Sequence, residues 1–394
     1  MALADKSWLE STVAHILLKC PTKSLMRFKC VSKSWSTLIQ YPNSISKTIL
    51  FNANNKNIYS TTSQLLISRI NKSPNPNDKE PVVFSLCPYH NLREMSTTEY
   101  LPFVHSPDRG STRVNLVGSC NGIVCLHDHY GDNFILWNPA TSELKILPPP
   151  RFQYFNSKGI KTSADVILSG FEYLQERKNY KVIKLMKISE FIMATSVGDH
   201  CIEIYSLEED SWKRIHVQGM GVVDVFRNSS TVVKGTLSWF TVNHTNDEER
   251  IVTFDMGKEV FSKTRLPDNI NRFSWFIWFY PLGDCLTVCV SQGDSRRVNN
   301  RWWIDVWVLL EIGVEESWSR LYRIDPVPGL YWCWYPLGFW KNGKVFLDNG
   351  KGQVVLYDMD TKEITDLRIQ GVYRTIQIVT YKESKVRLVK DILD

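Results

Sequence analysis

The chain has 394 residues, 43% hydrophobic and 22% charged, a balance expected of a water-soluble protein with one large and one small domain. No apolar run reaches the ~18 residues of a membrane-spanning helix, so no membrane partner is expected. The formal net charge is +6, but residues 1–50 hold seven Lys/Arg against Asp5 and Glu10; the remaining residues therefore carry only +1, a poor match for a phosphate backbone, and nucleic acid is set aside as a partner.

The opening MALADKSWLES lacks the basic start, apolar stretch and small-residue cleavage site of a secretory signal, so a cytoplasmic protein, with the nucleus as a second location, is expected. Nine cysteines without a C-x-x-C pair suit thiols in a reducing compartment. The N-x-S/T matches at Asn71, Asn228 and Asn243 then carry no glycan.

Leu9, Val13, Ile16 and Leu17 recur at the spacing of one helical face, which predicts a first helix over roughly 9–19, ended by Pro21. Thr22 or Ser24 can cap a second helix carrying Leu25, Phe28 and Val31, and Ser32 a third carrying Trp35, Leu38 and Ile39 up to Pro42. Trp8, Leu18 and Met26 lie off this stripe, so apolar surface is left over. Burying one Leu or Phe is worth ~1.5–3 kcal/mol, and these helices can gain it against a foreign protein or against the chain's own large domain.

The run ILLKCPTKSLMRFKCVSKSWSTLI, from Ile16 to Ile39, resembles the F-box, the helical motif by which plant F-box proteins dock on the Skp adaptor of an SCF ligase. The resemblance rests on Pro21, Lys23-Ser24-Leu25, Arg27-Phe28, Cys30-Val31 and Lys33-Ser34-Trp35. It implies that Leu9, Ile16, Leu17, Pro21, Leu25, Val31 and Trp35 face or support the adaptor, with cullin and RING subunits beyond it. The start departs from the family: Trp8-Leu9-Glu10-Ser11 stands where Leu-Pro and two acidic residues are usual, and His15 where Glu is common. A helix-start proline and some favourable negative charge are thereby lost.

Beyond residue 50 the pattern becomes short β-branched and aromatic runs separated by Gly, Asn, Asp and Pro, an all-β signature. Five segments read as strand, tight turn, strand: FILWNPATSELKIL, IEIYSLEEDSWKRI, IVTFDMGKEVFSKT, IDVWVLLEIGVEESWSRL and VVLYDMDTKEITDL. Their aromatic anchors, Trp137, Tyr205, Phe254, Trp307 and Tyr357, are 68, 49, 53 and 50 residues apart, close to the ~40–50 of propeller blades. A second apolar residue follows each anchor at seven (Leu144, Trp212, Phe261, Ile364) or, after an insertion, at eleven (Trp318). Glycine-led strands, NGIVCL, GTLSWF, GDCLTVCV and NGKVFL, precede most hairpins, and YPLG occurs twice, at Tyr280–Gly283 and Tyr335–Gly338. Residues 47–105 can supply a further blade, which the tail YRTIQIVTYK can join to close a six-bladed or irregular ring.

SCNGIVCL, ILWNPATSELKILPPP, YKVIKL, IEIYSLEEDSWKRI, GTLSWF and IVTFDM resemble the F-box-associated interaction domain, and closely the S-locus F-box and S-locus F-box-like proteins. The resemblance implies that this domain binds the protein to be ubiquitinated, an S-RNase in the S-locus members. A nearly neutral recognition domain is a modest match for a basic ribonuclease, which favours an S-locus-like relative with another target.

Catalytic alternatives are weaker. Gly118-Ser119-Cys120-Asn121-Gly122 has the form of a hydrolase elbow, but Ile123–Leu126 continues as strand where a helix is required, which favours a glycine turn. Cys125, His127 and His129 alternate on one strand face without a fourth zinc ligand, and Cys285 and Cys289 read as packing residues. The clusters Phe273, Trp275, Phe276, Trp278, Phe279, Tyr280 and Tyr331, Trp332, Trp334, Tyr335 read first as inter-blade packing and second as a binding surface. Glu208-Glu209-Asp210 and Asp247-Glu248-Glu249 read as solvated turns.

The expectation is thus an α+β multidomain chain: a three-helix F-box over 1–45 and an all-β, kelch-like propeller over 46–394. It is expected to be a non-catalytic receptor without metal or cofactor. An interaction scaffold without ligase assembly and a propeller enzyme are the alternatives. Segments 106–115, 150–162, 218–232 and 291–302 are the candidate recognition loops.

Overall fold

A computed structural model describes Val31 and residues 63–71, 81–89, 92, 96–98, 114–128, 133–155, 159, 161–162, 164–188, 200–216, 223–243, 248–267, 270, 276–293, 302–327, 330 and 335–388. The three expected N-terminal helices lie outside these residues. Apart from a ribbon of Tyr154–Phe155 and Lys161–Thr162, the described strands form six four-stranded antiparallel sheets. The first sheet combines Gln377–Lys382 with Ser63–Ile70, Val82–Pro88 and Ser96–Thr98. The second runs Val114–Cys120, Ile123–Asp128, Asn133–Asn138 and Glu143–Ile146, and the third Ala164–Leu174, Asn179–Ile188, His200–Ser206 and Ser211–His216. The fourth is Val223–Val233, Thr236–Asn243, Glu248–Asp255 and Val260–Arg265. The fifth is Ile277–Leu282, Cys285–Gly293, Trp302–Leu309 and Trp318–Ile324, and the sixth Pro336–Trp340, Lys344–Asp348, Gln353–Asp358 and Ile364–Gln370.

Two compact units contain these sheets. One (63–262, 351–353 and 369–388) is built around the first four, the other (263–350 and 354–368) around the fifth and sixth. Side chains alternate across a strand, so a sheet buried on both faces must be apolar at successive positions. The third sheet shows this: Val182 and Tyr205 pack with Ile123, Phe134 and Leu136 of the second sheet, while Ile183 and Ile204 pack with Leu237, Trp239 and Phe254 of the fourth. In the other unit Cys289, Val306 and Val308 of the fifth sheet meet Val345, Leu347 and Val355 of the sixth. Within the larger unit the first strands of the first four sheets lie side by side.

All five hairpins read from the sequence are the third and fourth strands of a sheet. In three of them the residue after the anchor closes the turn with its side chain: Asn138 Oδ1 accepts from Ala140 N at 3.0 Å, Asp255 Oδ1 from Gly257 N at 2.8 Å, and Asp358 Oδ1 from Asp360 N at 2.9 Å. The fifth residue after the anchor is left-handed in four of them, with φ of 58° at Ser142, 48° at Asp210, 58° at Glu259 and 65° at Lys362. In the remaining hairpin the insertion forms a short 3-10 turn, Glu315–Ser317, before Trp318. The two YPLG strings are not equivalent: Tyr280–Leu282 ends a first strand, whereas Pro336–Gly338 begins one.

The expected pairing of the tail with residues near the start is observed, Leu65 opposing Thr380 and Ile67 opposing Ile378. The chain then crosses the second sheet. Asn138 Nδ2 donates to Ser384 O (3.0 Å) and Val386 O (2.7 Å), Leu388 N donates to Glu143 Oε2 (3.0 Å), and Leu388 is buried. A side chain at Gly122 would collide with Ser384, because a Cβ there would lie 2.1 Å from the serine Cβ.

Candidate functional site

Of the expected adaptor-facing residues, Leu9, Ile16, Leu17, Pro21, Leu25 and Trp35 lie outside the described residues, and Val31 is 62% exposed. The hydrolase-elbow segment is a hairpin turn, Asn121 and Gly122 having φ of 45° and 84° between two strands. Burial drives the thiols of Cys120 and Cys125 well above their ordinary pKa, which suits packing rather than attack. Cys125 sits in the core between the second and third sheets, His127 stacks on Phe134 at 4.4 Å, and His129 lies outside the described residues. Cys285 and Cys289 are core residues of the fifth sheet, as read from the sequence.

The aromatic clusters meet where the fifth and sixth sheets pack. Trp278 stacks on Phe276 at 5.6 Å and on Tyr335 at 5.4 Å, and Tyr280 meets Phe339 edge-on while its hydroxyl donates to Pro336 O. Inter-blade packing therefore accounts for Phe276, Trp278, Tyr280 and Tyr335, and Phe279 is buried; Phe273, Trp275, Tyr331, Trp332 and Trp334 lie outside the described residues. Of the acidic runs, Glu208–Asp210 is a turn, but Asp210 accepts from Tyr205 Oη at 2.5 Å and pairs with Lys145 at 3.1 Å instead of being merely solvated. Glu248 and Glu249 lie on a strand, a correction to their reading as turn residues; their run opens the alternating segment that pairs with Thr236–Asn243.

Two carboxylates missed in the sequence dominate the buried polar chemistry. Glu203 on the third strand of the third sheet is fully buried and stands between Lys184 on the second strand and Arg214 on the fourth. Its Oε1 accepts from Arg214 Nε (3.1 Å), Arg214 Nη2 (2.8 Å) and Tyr154 Oη (2.8 Å). Lys184 Nζ stands 3.2 Å from Oε2, an ion contact too poorly aligned to be a hydrogen bond, and 4.9 Å from the Trp212 ring. Burial opposes charge on Arg214, but its bonds to Glu203 hold its pKa above the ordinary value. Burial, helped by Glu203, pushes the Cys201 thiol up to about 11.

The segment joining the second and third sheets is strapped over this pair. Phe152 and Tyr154 lie on the Arg214 guanidinium, each ring centroid 4.4 Å from Cζ, while Arg214 Nη1 donates to Gln153 O (3.0 Å) and Trp212 Nε1 to Pro148 O (2.7 Å). Residues 152–154 of the expected recognition loop 150–162 are thus committed to the chain's own third sheet.

Asp305 occupies the same place in the fifth sheet. Glu203 and Asp305 each lie two residues before their anchor, and each opposes an arginine of the outer strand, Arg214 and Arg323. Arg323 donates to Asp305 through Nε (2.8 Å) and Nη2 (3.0 Å), which raises its pKa, and its guanidinium lies 5.0 Å from the Trp303 ring centroid. Trp303 Nε1 also donates to Asp305 Oδ2 at 3.2 Å. The signal was legible: IEIY and IDVW place a carboxylate within an apolar strand where a solvent-facing residue has no place.

A cavity of about 250 Å³ opens among the first strands of the larger unit, lined by Asn115, Val117, His127, Ser169, Ser230 and Gln377. Its polar atoms serve the backbone in part: Gln377 Oε1 accepts from Leu116 N at 2.5 Å and Ser230 Oγ donates to Ser169 O at 3.2 Å.

The chain is similar to known proteins over most of its length. The F-box domain family model matches residues 11–47 and that of the F-box associated beta propeller domain residues 51–391. F-box/kelch-repeat protein At3g23880 of Arabidopsis thaliana is 29% identical over 348 residues, covering 87% of this chain and 85% of the relative. F-box protein CPR1 of the same plant is 22% identical over 377 residues, covering 91% and 83%. Among solved structures, a chain of a nidogen/laminin complex matches with a TM-score of 0.43 at 10% identity, over 82% of this chain and 99% of that one. With six meandering sheets behind a matched F-box, the chain belongs to the plant F-box proteins that carry an F-box associated beta propeller domain.

Proposed function

We propose that the chain is the substrate-receptor subunit of an SCF-type ubiquitin ligase. In this reading residues 1–45 bind a Skp-type adaptor, and through it cullin and RING subunits, while residues 46–394 hold a target protein for ubiquitination and degradation. The observation that carries it is the succession of an F-box match over 11–47 and a propeller match over 51–391 in one chain. The receptor supplies proximity, and ubiquitin transfer belongs to other subunits. Thiols raised by burial and carboxylates tied into ion pairs fit a non-catalytic role. The complex would work in the cytoplasm, and in the nucleus where its target is there.

The test is co-purification of a Skp adaptor with the full chain. Leu25→Asp or Trp35→Ala abolishes capture in this reading, with the propeller's thermal transition unchanged; undiminished capture by a folded double variant overturns it. The finer proposal places the chain among the S-locus F-box-like proteins. An S-RNase that binds the full chain saturably supports membership of the S-locus branch proper, and failure of a panel of them assigns the domain another target.

A further inference from the structure

The arginine–carboxylate pair of the third sheet already has a peptide bound to it, namely the chain's own strap. That contact has three parts: aromatic rings on the guanidinium, a hydroxyl donated to the carboxylate, and a backbone carbonyl accepting from Nη1. The fifth sheet carries the same pair at the same place in the repeat. There Trp303, from within the sheet, does what Tyr154 does from the strap, stacking on the guanidinium and donating to the carboxylate. Yet the Arg323 side chain is 43% exposed, against 16% for Arg214.

The fifth sheet is also built to present this face. The register slips between Val306 and Trp307, so that Trp307 opposes Arg320, Val306 opposes Tyr322 and Asp305 opposes Arg323, leaving Leu321 as the extra residue of a bulge. Without it, arginines three apart in sequence would point to opposite faces; with it, both reach Asp305, Arg320 Nη1 at 4.0 Å and 42% exposed. Asp325 also acts on Arg323, so charge at the patch is nearly balanced, and recognition there falls to stacking and hydrogen bonding.

We infer that the Trp303–Asp305–Arg320–Arg323 patch is a docking site for an extended protein segment that lays an aromatic side chain on the Arg323 guanidinium and offers it a backbone carbonyl, as Phe152 and Gln153 do for Arg214. The inference deepens the receptor reading by locating one contact with a target. The internal strap shows the geometry of the occupant, and Arg and Trp are the residue types that dominate protein interfaces.

The probe is a fluorescent, end-blocked peptide copying Pro149–Ser157 of this chain, titrated into the full chain and followed by anisotropy. The expected result is saturable binding that weakens about tenfold or more in Trp303→Leu and in Arg323→Gln, and likewise when both Phe152 and Tyr154 of the peptide are replaced by leucine. Trp303→Leu leaves the Asp305–Arg323 bonds in place, so it reports on docking even if Arg323→Gln is unstable. Absence of saturable binding to the folded chain, or equal affinity for the Trp303→Leu variant, overturns the inference. Capture of a Skp adaptor by the same variant is measured in parallel: retained capture with lost peptide binding separates this patch from the ligase reading, and lost capture in the unsubstituted chain counts against that reading alone.

Discussion

Glu203 holds two cations at once, and removing its charge strands Lys184, whose side chain is 1% exposed, beside aromatic rings with no counterion. A buried ion pair contributes modestly over an apolar substitute, but breaking one from a single side is costly. Glu203→Gln is therefore expected to lower unfolding stability by about 3–5 kcal/mol in urea denaturation, and Glu203→Leu with Lys184→Met to recover most of it. Equal losses in the two variants would mean that packing rather than the stranded ammonium sets the cost. Asp210 offers a pH-dependent counterpart. The Tyr205 hydroxyl and the Lys145 ammonium hold its carboxyl below the ordinary carboxylate value. A folded pKa below the unfolded one, roughly 3.9, contributes stability that is complete above that value and is lost as pH falls through the lowered folded value. The melting-temperature gap between the parent chain and Asp210→Asn should accordingly be widest near neutrality and narrow towards pH 3, as a calorimetric series would show.

At the level of elements, the hairpins were legible because independent signals fall together: an aromatic anchor and a return strand in all five, and a turn-forming side chain after the anchor in those of Trp137, Phe254 and Tyr357. Ser142, exposed and left-handed at the fifth position after Trp137, tests this. Ser142→Gly should keep or raise stability by up to about 1 kcal/mol, whereas Ser142→Val should lower it by about 1–2 kcal/mol, both read as urea midpoints at constant slope. The first strands were harder to read. Ala164–Leu174 and Val223–Val233 mix polar and small residues, since they line a cavity and crowd one another there; a Cβ on Gly170 would lie 2.5 Å from Val232. Glu203 and Asp305 are marked by their place inside apolar strands, but the partners that make their burial tolerable stand on neighbouring strands, up to 19 residues away in sequence for Lys184, and only the register brings them together. The YPLG repeat misled in the opposite sense, because identical strings landed at opposite ends of first strands.

At the level of the whole molecule, the first sheet is completed by Gln377–Lys382, and the residues after it clamp the second sheet through Asn138 and Glu143. A chain ending at residue 376 would leave Leu65–Ile67 with an unpaired backbone edge and the second sheet without Leu388, a core residue. It should lose the cooperative thermal transition of the full chain, and a transition of unaltered midpoint would show the seam to be dispensable. The same seam orders events in time: a ribosome delivers Ser63–Ile70 more than three hundred residues before the strand that completes their sheet, so that edge waits unpaired over that whole stretch of synthesis.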